Sequence, residues 1–263
     1  MNKFRDSIIF YNINSLEYYI ENSNDKISLI ISKLPKIKLK KNISLTSILD
    51  NIDTIENINL LKKIYMKCED DSHIYIFSDK NDISVNISIM TEIGFCLENI
   101  LIYNKKLKNN NNLFIDNTGI ILFFVKNIKR KIKINKNKNS ILNIAQVEYT
   151  EDYPVSLVEY LLKCSKKDKL DDNLVLDLNS VNGEVPLACI KYNLKCICLG
   201  LNKKINTRLS SYLDKVDKVK KEIKEDKKIK EDKEINIKNK DKEKLKKIIR
   251  ETRKEGSWLW KQQ

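Results

Sequence analysis

Three short segments place polar or charged residues immediately after apolar runs, where a strand would present them at its end. Lys33, Leu34, Pro35 and Lys36 follow ISLIIS; Asp177, Leu178, Asn179, Ser180, Val181, Asn182 and Gly183 close the run NLVLDL; Gly200, Leu201 and Asn202 close LKCIC. A charged lysine has three donors and no acceptor, so Lys33 and Lys36 cannot receive a hydrogen bond from an amine. Asp177 is an acceptor, and Gly183 allows a turn in which a Cβ would not fit. Read by residue type alone, the first segment is a basic turn after a buried strand. The second is a buried strand end closed by a polar Asn-Gly turn.

A fourth candidate is electrostatic. The stretch 126–138 (KNIKRKIKINKNK) gathers Lys126, Lys129, Arg130, Lys131 and Lys133, and the alternation in KIKI suits a strand with one charged face. Such a face contacts phosphates with salt-sensitive affinity, or simply keeps a surface strand soluble. The whole chain carries a formal net charge of +14, with a pI near 9.3, so polyanions are its natural partners. Arginine occurs only at Arg5, Arg130, Arg208, Arg250 and Arg253. Lysine is a point charge whereas arginine supplies the fork that reads bases, which favours backbone contacts over sequence reading.

Metal chemistry has little support. His73 is the lone histidine, and the cysteines (Cys68, Cys96, Cys164, Cys189, Cys196, Cys198) lie mostly in apolar runs, as reduced buried thiols of a cytoplasmic or nuclear protein. Cys196 and Cys198, two apart in a strand, share a face. No apolar stretch approaches the ~20 residues of a membrane span.

The elements that must position these groups alternate. Residues 7–10 predict a strand, 16–21 a helix and 27–32 a buried strand, which is a βαβ unit and hence a parallel sheet. Helical spacing recurs over 47–67, strand patterns over 73–77, 100–103 and 119–125, and a helix over 83–93 stops at Gly94. Beyond the basic insertion at 126–140, a helix over 155–164, a strand over 173–178, a helix over 185–192 and a strand over 194–201 complete the series. The fold class is α/β, a doubly wound, mostly parallel Rossmann-like sheet with helices on both faces. This domain spans 1–213. A charged tail, helical or disordered, occupies 214–263 and ends in an apolar cluster of Leu245, Ile248, Ile249, Trp258, Leu259 and Trp260.

Taken in order, these segments resemble the DNA N6-adenine/N4-cytosine methyltransferases in the permuted arrangement that puts the catalytic segment before the cofactor loop. IIFYNINSLEYYIENSNDKISLIISKLP is similar to the family's "I-x-x-G-D-x-L … V-D-L-I-x-x-D-P-P-Y". NLVLDLNSVNGEVPLACIKYNLKCICLGLN is similar to "V-L-D-P-F-A-G-S-G-T-T … I-G-I-E-x-D". The resemblance runs over roughly 8–202 and lies in the ordered series more than in any one motif. It implies a methyltransferase sheet, S-adenosylmethionine as donor and an exocyclic amine of DNA as acceptor.

The resemblance also assigns positions, and these depart from the family. The catalytic tetrad DPPY falls on Lys33, Leu34, Pro35 and Lys36, so the acceptor for the target amine and the aromatic that stacks on the flipped base are both lysines. In the cofactor loop Asp177 and Gly183 persist, while a glycine position is Val181, the phenylalanine position is Asn179 and the threonine position is Glu184. The acidic residue that would hold the ribose hydroxyls falls on Gly200, with Asn202 as a weak substitute, and the lysine of the "K-P" segment is Tyr153 before Pro154.

The first reading is therefore a methyltransferase-like protein without the reaction. It takes no cofactor or metal, and it binds nucleic acid, DNA ahead of RNA, mainly through phosphates, or supports an active methyltransferase subunit. The alternatives are a divergent but active S-adenosylmethionine-dependent enzyme, against which Lys33 and Lys36 argue most directly, and an interaction module built on the tail. None of the three places the chain at a membrane.

Overall fold

A computed structural model describes residues 2–4, 7–34, 55–104, 118–127, 140–142, 153–165, 174–180, 182–200, 202–216 and 218. In chain order the elements are β1 (Asn2–Phe4), β2 (Ile8–Tyr11), α1 (Ile13–Asn22), β3 (Ile27–Lys33), α2 (Ile55–Lys67), β4 (Cys68–Ser78), α3 (Ile83–Ile93), β5 (Phe95–Asn104), β6 (Thr118–Lys126), β7 (Ile141–Leu142), α4 (Val155–Cys164), β8 (Leu174–Asp177), α5 (Glu184–Tyr192) and β9 (Lys195–Leu199). A last helix, α6, covers 203–216. The chain divides into two units, Met1–Leu209 and Ser210–Gln263, and of the second only 210–216 and 218 are described.

The nine strands form one sheet in the order β1-β2-β9-β8-β3-β4-β6-β5-β7. The central run β2-β9-β8-β3-β4 is parallel throughout, while β6 is antiparallel to both its neighbours. Strand periodicity sorts the core. Ile30, Ile74, Ile76, Leu174, Leu176 and Ile197 point to one face, where Leu16 and Ile20 of α1, Leu61 and Ile64 of α2 and Ile89 and Met90 of α3 pack on them. The other face receives α4 and α5: Phe77 stacks on Tyr153 at 3.7 Å just before α4. The doubly wound α/β expectation thus holds, with helices on both faces.

Local chemistry explains most of the ends. Asn12 caps α1 by accepting the Ser15 N–H at 2.8 Å. Gly94, at φ 119°, closes α3 in the left-handed conformation and turns the chain straight into β5. The predicted helix 155–164 coincides with α4, whereas β4 and β5 extend well beyond the predicted 73–77 and 100–103. The residues added to β4 are mostly polar, over 69–72, and β5 is exposed over 96–100, so no long apolar run marks either extension. β1 and β7 are edge strands of three and two residues, too short to leave a pattern. The basic run beyond Asn127, residues 47–54 and nearly all of 214–263 lie outside the described residues.

Candidate functional site at the carboxyl ends of β3, β8 and β9

The chain leaves β8 through α5 toward β9 on one side, and β3 and β4 continue on the other. The crevice beyond the carboxyl ends of β8 and β3 is therefore the topological switch point, where open α/β sheets take their ligands. Lys33, Asp177 and Gly200 stand at or just past the ends of β3, β8 and β9, so the fold brings together the three segments singled out from sequence.

What they do there is internal. Asp177 is 1% exposed. Its Oδ1 accepts from the Ser32 hydroxyl at 3.0 Å and the Asn179 N–H at 3.1 Å, and its Oδ2 from the Ser180 hydroxyl at 2.6 Å. Ser32 in turn accepts the Leu178 N–H at 2.9 Å, which knits the ends of β3 and β8 together. Burial pushes the Asp177 carboxyl up to about 6, against the lowering effect of these three donors. A carboxyl so enclosed shapes the loop and has no oxygen turned to a ligand.

At the end of β3, the Lys33 ammonium lies 3.0 Å from one carboxylate oxygen of Asp79 and 3.2 Å from the other. Asp79 follows β4, the next strand. The side chains are 23% and 46% exposed, so the pair lies at the rim. Leu34 is buried at 5%, while Pro35 and Lys36 lie outside the described residues.

The loop after β8 is closed by α6. Asn202 caps that helix, accepting the Ile205 N–H at 2.9 Å. Its side-chain oxygen, the weak substitute for a ribose acceptor, is thereby used on the backbone. Ile205 and Leu209 are fully buried. Lys204 donates to the Asn182 side chain at 2.7 Å, and Arg208 to the Asn182 carbonyl at 2.9 Å and to Glu184 at 2.8 Å. Glu184, at the first turn of α5, has a side chain only 1% exposed and meets both Arg208 and the positive end of the helix. Gly183 adopts φ 80°, and a Cβ there would stand 3.2 Å from Ile205 Cγ2. Gly200, at φ 83°, leaves open space around it and presents no acceptor. Val181 and Leu201 lie outside the described residues.

Two expectations need correction. Lys126, counted among the phosphate contacts, is 8% exposed; its ammonium donates to the Cys68 carbonyl at 2.7 Å and sits 4.8 Å over the Tyr65 ring. Its charge is turned inward because it ends β6 on the side where Cys68 begins β4. Lys129, Arg130, Lys131 and Lys133 lie outside the described residues. Cysteine burial is also uneven. Cys68, Cys189, Cys196 and Cys198 are buried, but Cys96 is exposed and Cys164 half-buried, since their strand and helix each show that side to solvent. Cys196 and Cys198 do share a face, with their sulfurs 3.4 Å apart, and burial raises both thiols, which keeps them protonated and inert.

Sequence reasoning missed Ser32 and Asp79, and it named Ser180 and Glu184 without their partners Asp177 and Arg208. The serines could have been noticed as hydroxyls beside Asp177 on adjoining strand ends; Asp79 and Arg208 carry no local signal, since their partners are 46 and 24 residues away. Away from the crevice, His73 Nδ1 lies 3.2 Å from the Ser165 hydroxyl and 3.4 Å from that of Tyr75. Ser165 ends α4 and also donates to the Leu161 carbonyl, so the local dipole opposes a developing anion. Among the described residues no group of three or more His, Cys, Asp or Glu side chains could hold a metal, and no helix is long and apolar enough to cross a membrane.

The sheet, with its switch point and its antiparallel β6, has a fold like that of the N4/N6 DNA methylases. Solved structures supply the particulars. The crystal structure of M1.HpyAVI superposes with a TM-score of 0.58 at 17% identity, over 78% of this chain and 98% of that one. The PvuII DNA methyltransferase, cytosine-N4-specific, gives 0.54 at 16% identity over 75% and 83%. A putative DNA modification methylase from Thermus thermophilus, complexed with S-adenosyl-L-methionine, gives 0.52 at 13% over 78% and 95%. No family model and no curated protein matches the chain.

Proposed function

We propose that this chain is a pseudo-methyltransferase: it keeps the DNA methylase fold, has lost methyl transfer, and serves as a nucleic-acid-binding or partner-supporting subunit. One observation carries the reading. The position that resembles the family's amine acceptor is Lys33, whose ammonium is paired with Asp79 at 3.0 Å, so a donor stands where an acceptor is required. The described residues also fit S-adenosylmethionine poorly. Asp177 is saturated from inside, Gly200 offers nothing to a vicinal diol, and the Asn202 oxygen is held by α6.

The net charge of +14 supports a polyanionic partner, and Lys129, Arg130, Lys131 and Lys133 are the proposed phosphate contacts, on DNA ahead of RNA. Titration calorimetry with S-adenosylmethionine is expected to give no heat of binding, and labelled-methyl assays on DNA no transfer. Micromolar cofactor affinity would refute the loss of function. DNA binding is expected to weaken steeply with salt; full affinity at high salt would refute the electrostatic half.

A further inference from the structure

Helix α1 has a surface outside the crevice, of which Tyr19 leans on the core and the rest faces outward. Its sequence and C-cap read Asn14-Ser15-Leu16-Glu17-Tyr18-Tyr19-Ile20-Glu21-Asn22-Ser23, so the apolar and the acidic residues each recur after four positions, while Tyr18 and Tyr19 stand one turn from Asn and Ser on either side. Leu16 and Ile20 are buried in the core. Glu17 and Glu21 both pair with Lys63 of α2. The third face is left: Asn14, Ser15, Tyr18, Tyr19, Asn22 and Ser23, which with Tyr11 of β2 line an open groove of about 540 Å³.

None of the side chains lining the groove is charged, in a chain where 33% of residues are; Asp25 and Lys67 meet its edge only, at the Tyr19 hydroxyl and the Ser23 carbonyl. An ordinary solvated helix face in such a composition would hold lysines. Instead Tyr18 is 69% exposed. Tyr19 stands behind it as a fixed wall, its hydroxyl donating to Asp25 and its ring 5.3 Å from that of Tyr11. Amide and hydroxyl groups flank the rings on both sides along the helix, one turn away, at roughly 6 Å. A flat aromatic surface bordered by neutral donors and acceptors matches a flat, uncharged ring with polar edges.

We infer that this groove takes an unpaired nucleobase of a single-stranded nucleic acid, stacked on Tyr18 and hydrogen-bonded at its edge by Asn14, Ser15 or Asn22. The inference rests on the proposed nucleic-acid role and adds where a base, as distinct from a phosphate, is held. Duplex bases are stacked on one another and cannot reach the ring, so the groove selects single strands.

The test is binding of the full chain to a fluorescent single-stranded 20-mer, to the same strand with abasic positions, and to its duplex. Tyr18→Leu is expected to weaken single-strand binding about tenfold, in the range of base–aromatic stacking, and to leave duplex binding unchanged. Tyr18→Phe should retain affinity, and abasic strands should bind wild type as weakly as they bind Tyr18→Leu. A circular-dichroism melt confirms that Tyr18→Leu folds. Unchanged single-strand affinity of Tyr18→Leu, with duplex binding intact, overturns the inference alone. No binding of any nucleic acid by wild type overturns the proposed function as well. Free deoxynucleoside monophosphates that compete as well as the strand would reassign the groove to a free nucleotide. A co-purifying protein lost on Tyr18→Leu, with strand binding normal, would assign the face to that protein; both results reject the strand.

Discussion

Asp177→Asn is the most direct probe of the crevice. The Asp177 carboxyl is fully enclosed, and burial raises it from the ordinary 3.8 to about 6. The folded chain therefore holds this proton more tightly than the unfolded chain. Below 3.8 both states are protonated and the stabilising effect is complete; as the pH rises through about 6 the folded state must accept a buried charge and the effect is lost. At roughly 1.4 kcal/mol per tenfold difference in proton affinity, the loss is about 3 kcal/mol. Asparagine has the shape of the protonated acid: its oxygen can still accept from Ser32 and the Asn179 N–H, and its amide can donate to Ser180. Urea denaturation followed by circular dichroism, from pH 3 to pH 7.5, should show the variant gaining about 3 kcal/mol relative to wild type across that window. A difference that stays constant with pH would mean that the carboxylate ionises as if solvated. That result would refute its enclosure, and with it the claim that Asp177 is unavailable to a ligand.

Other perturbations test neighbouring contacts. Arg208→Ala leaves the buried Glu184 with the α5 terminus but without its cation, and should cost on the order of 3 kcal/mol in denaturant midpoint analysis. Gly183→Ala forces a Cβ into φ 80° against Ile205 and should cost about 1–2 kcal/mol, read as a lower melting temperature. Lys126→Ala removes the donor to the Cys68 carbonyl and should lower stability by about 1–2 kcal/mol without changing the salt slope of DNA binding. Replacing Lys129, Arg130, Lys131 and Lys133 with glutamine should instead flatten that slope, by about 0.9 for each phosphate that is no longer neutralised.

The alternation of short apolar runs and helical patterns was enough to determine the doubly wound α/β class, because burial on both sides of a parallel strand leaves a continuous apolar signature, as in ISLIIS and NLVLDL. The same sequence singled out the ends of β3, β8 and β9, and residue type alone makes Lys33 a donor with no acceptor. Tertiary structure alone decided where those groups point. Asp177 is turned into Ser32 and Ser180, Lys33 is matched by Asp79 from the next strand, Lys126 is folded inward onto Cys68, and Asn202 caps a helix that bolts Arg208 to Glu184. Each of these partners is either on another element or set by a turn, and periodicity reports which face a residue occupies but not which distant side chain it will meet there.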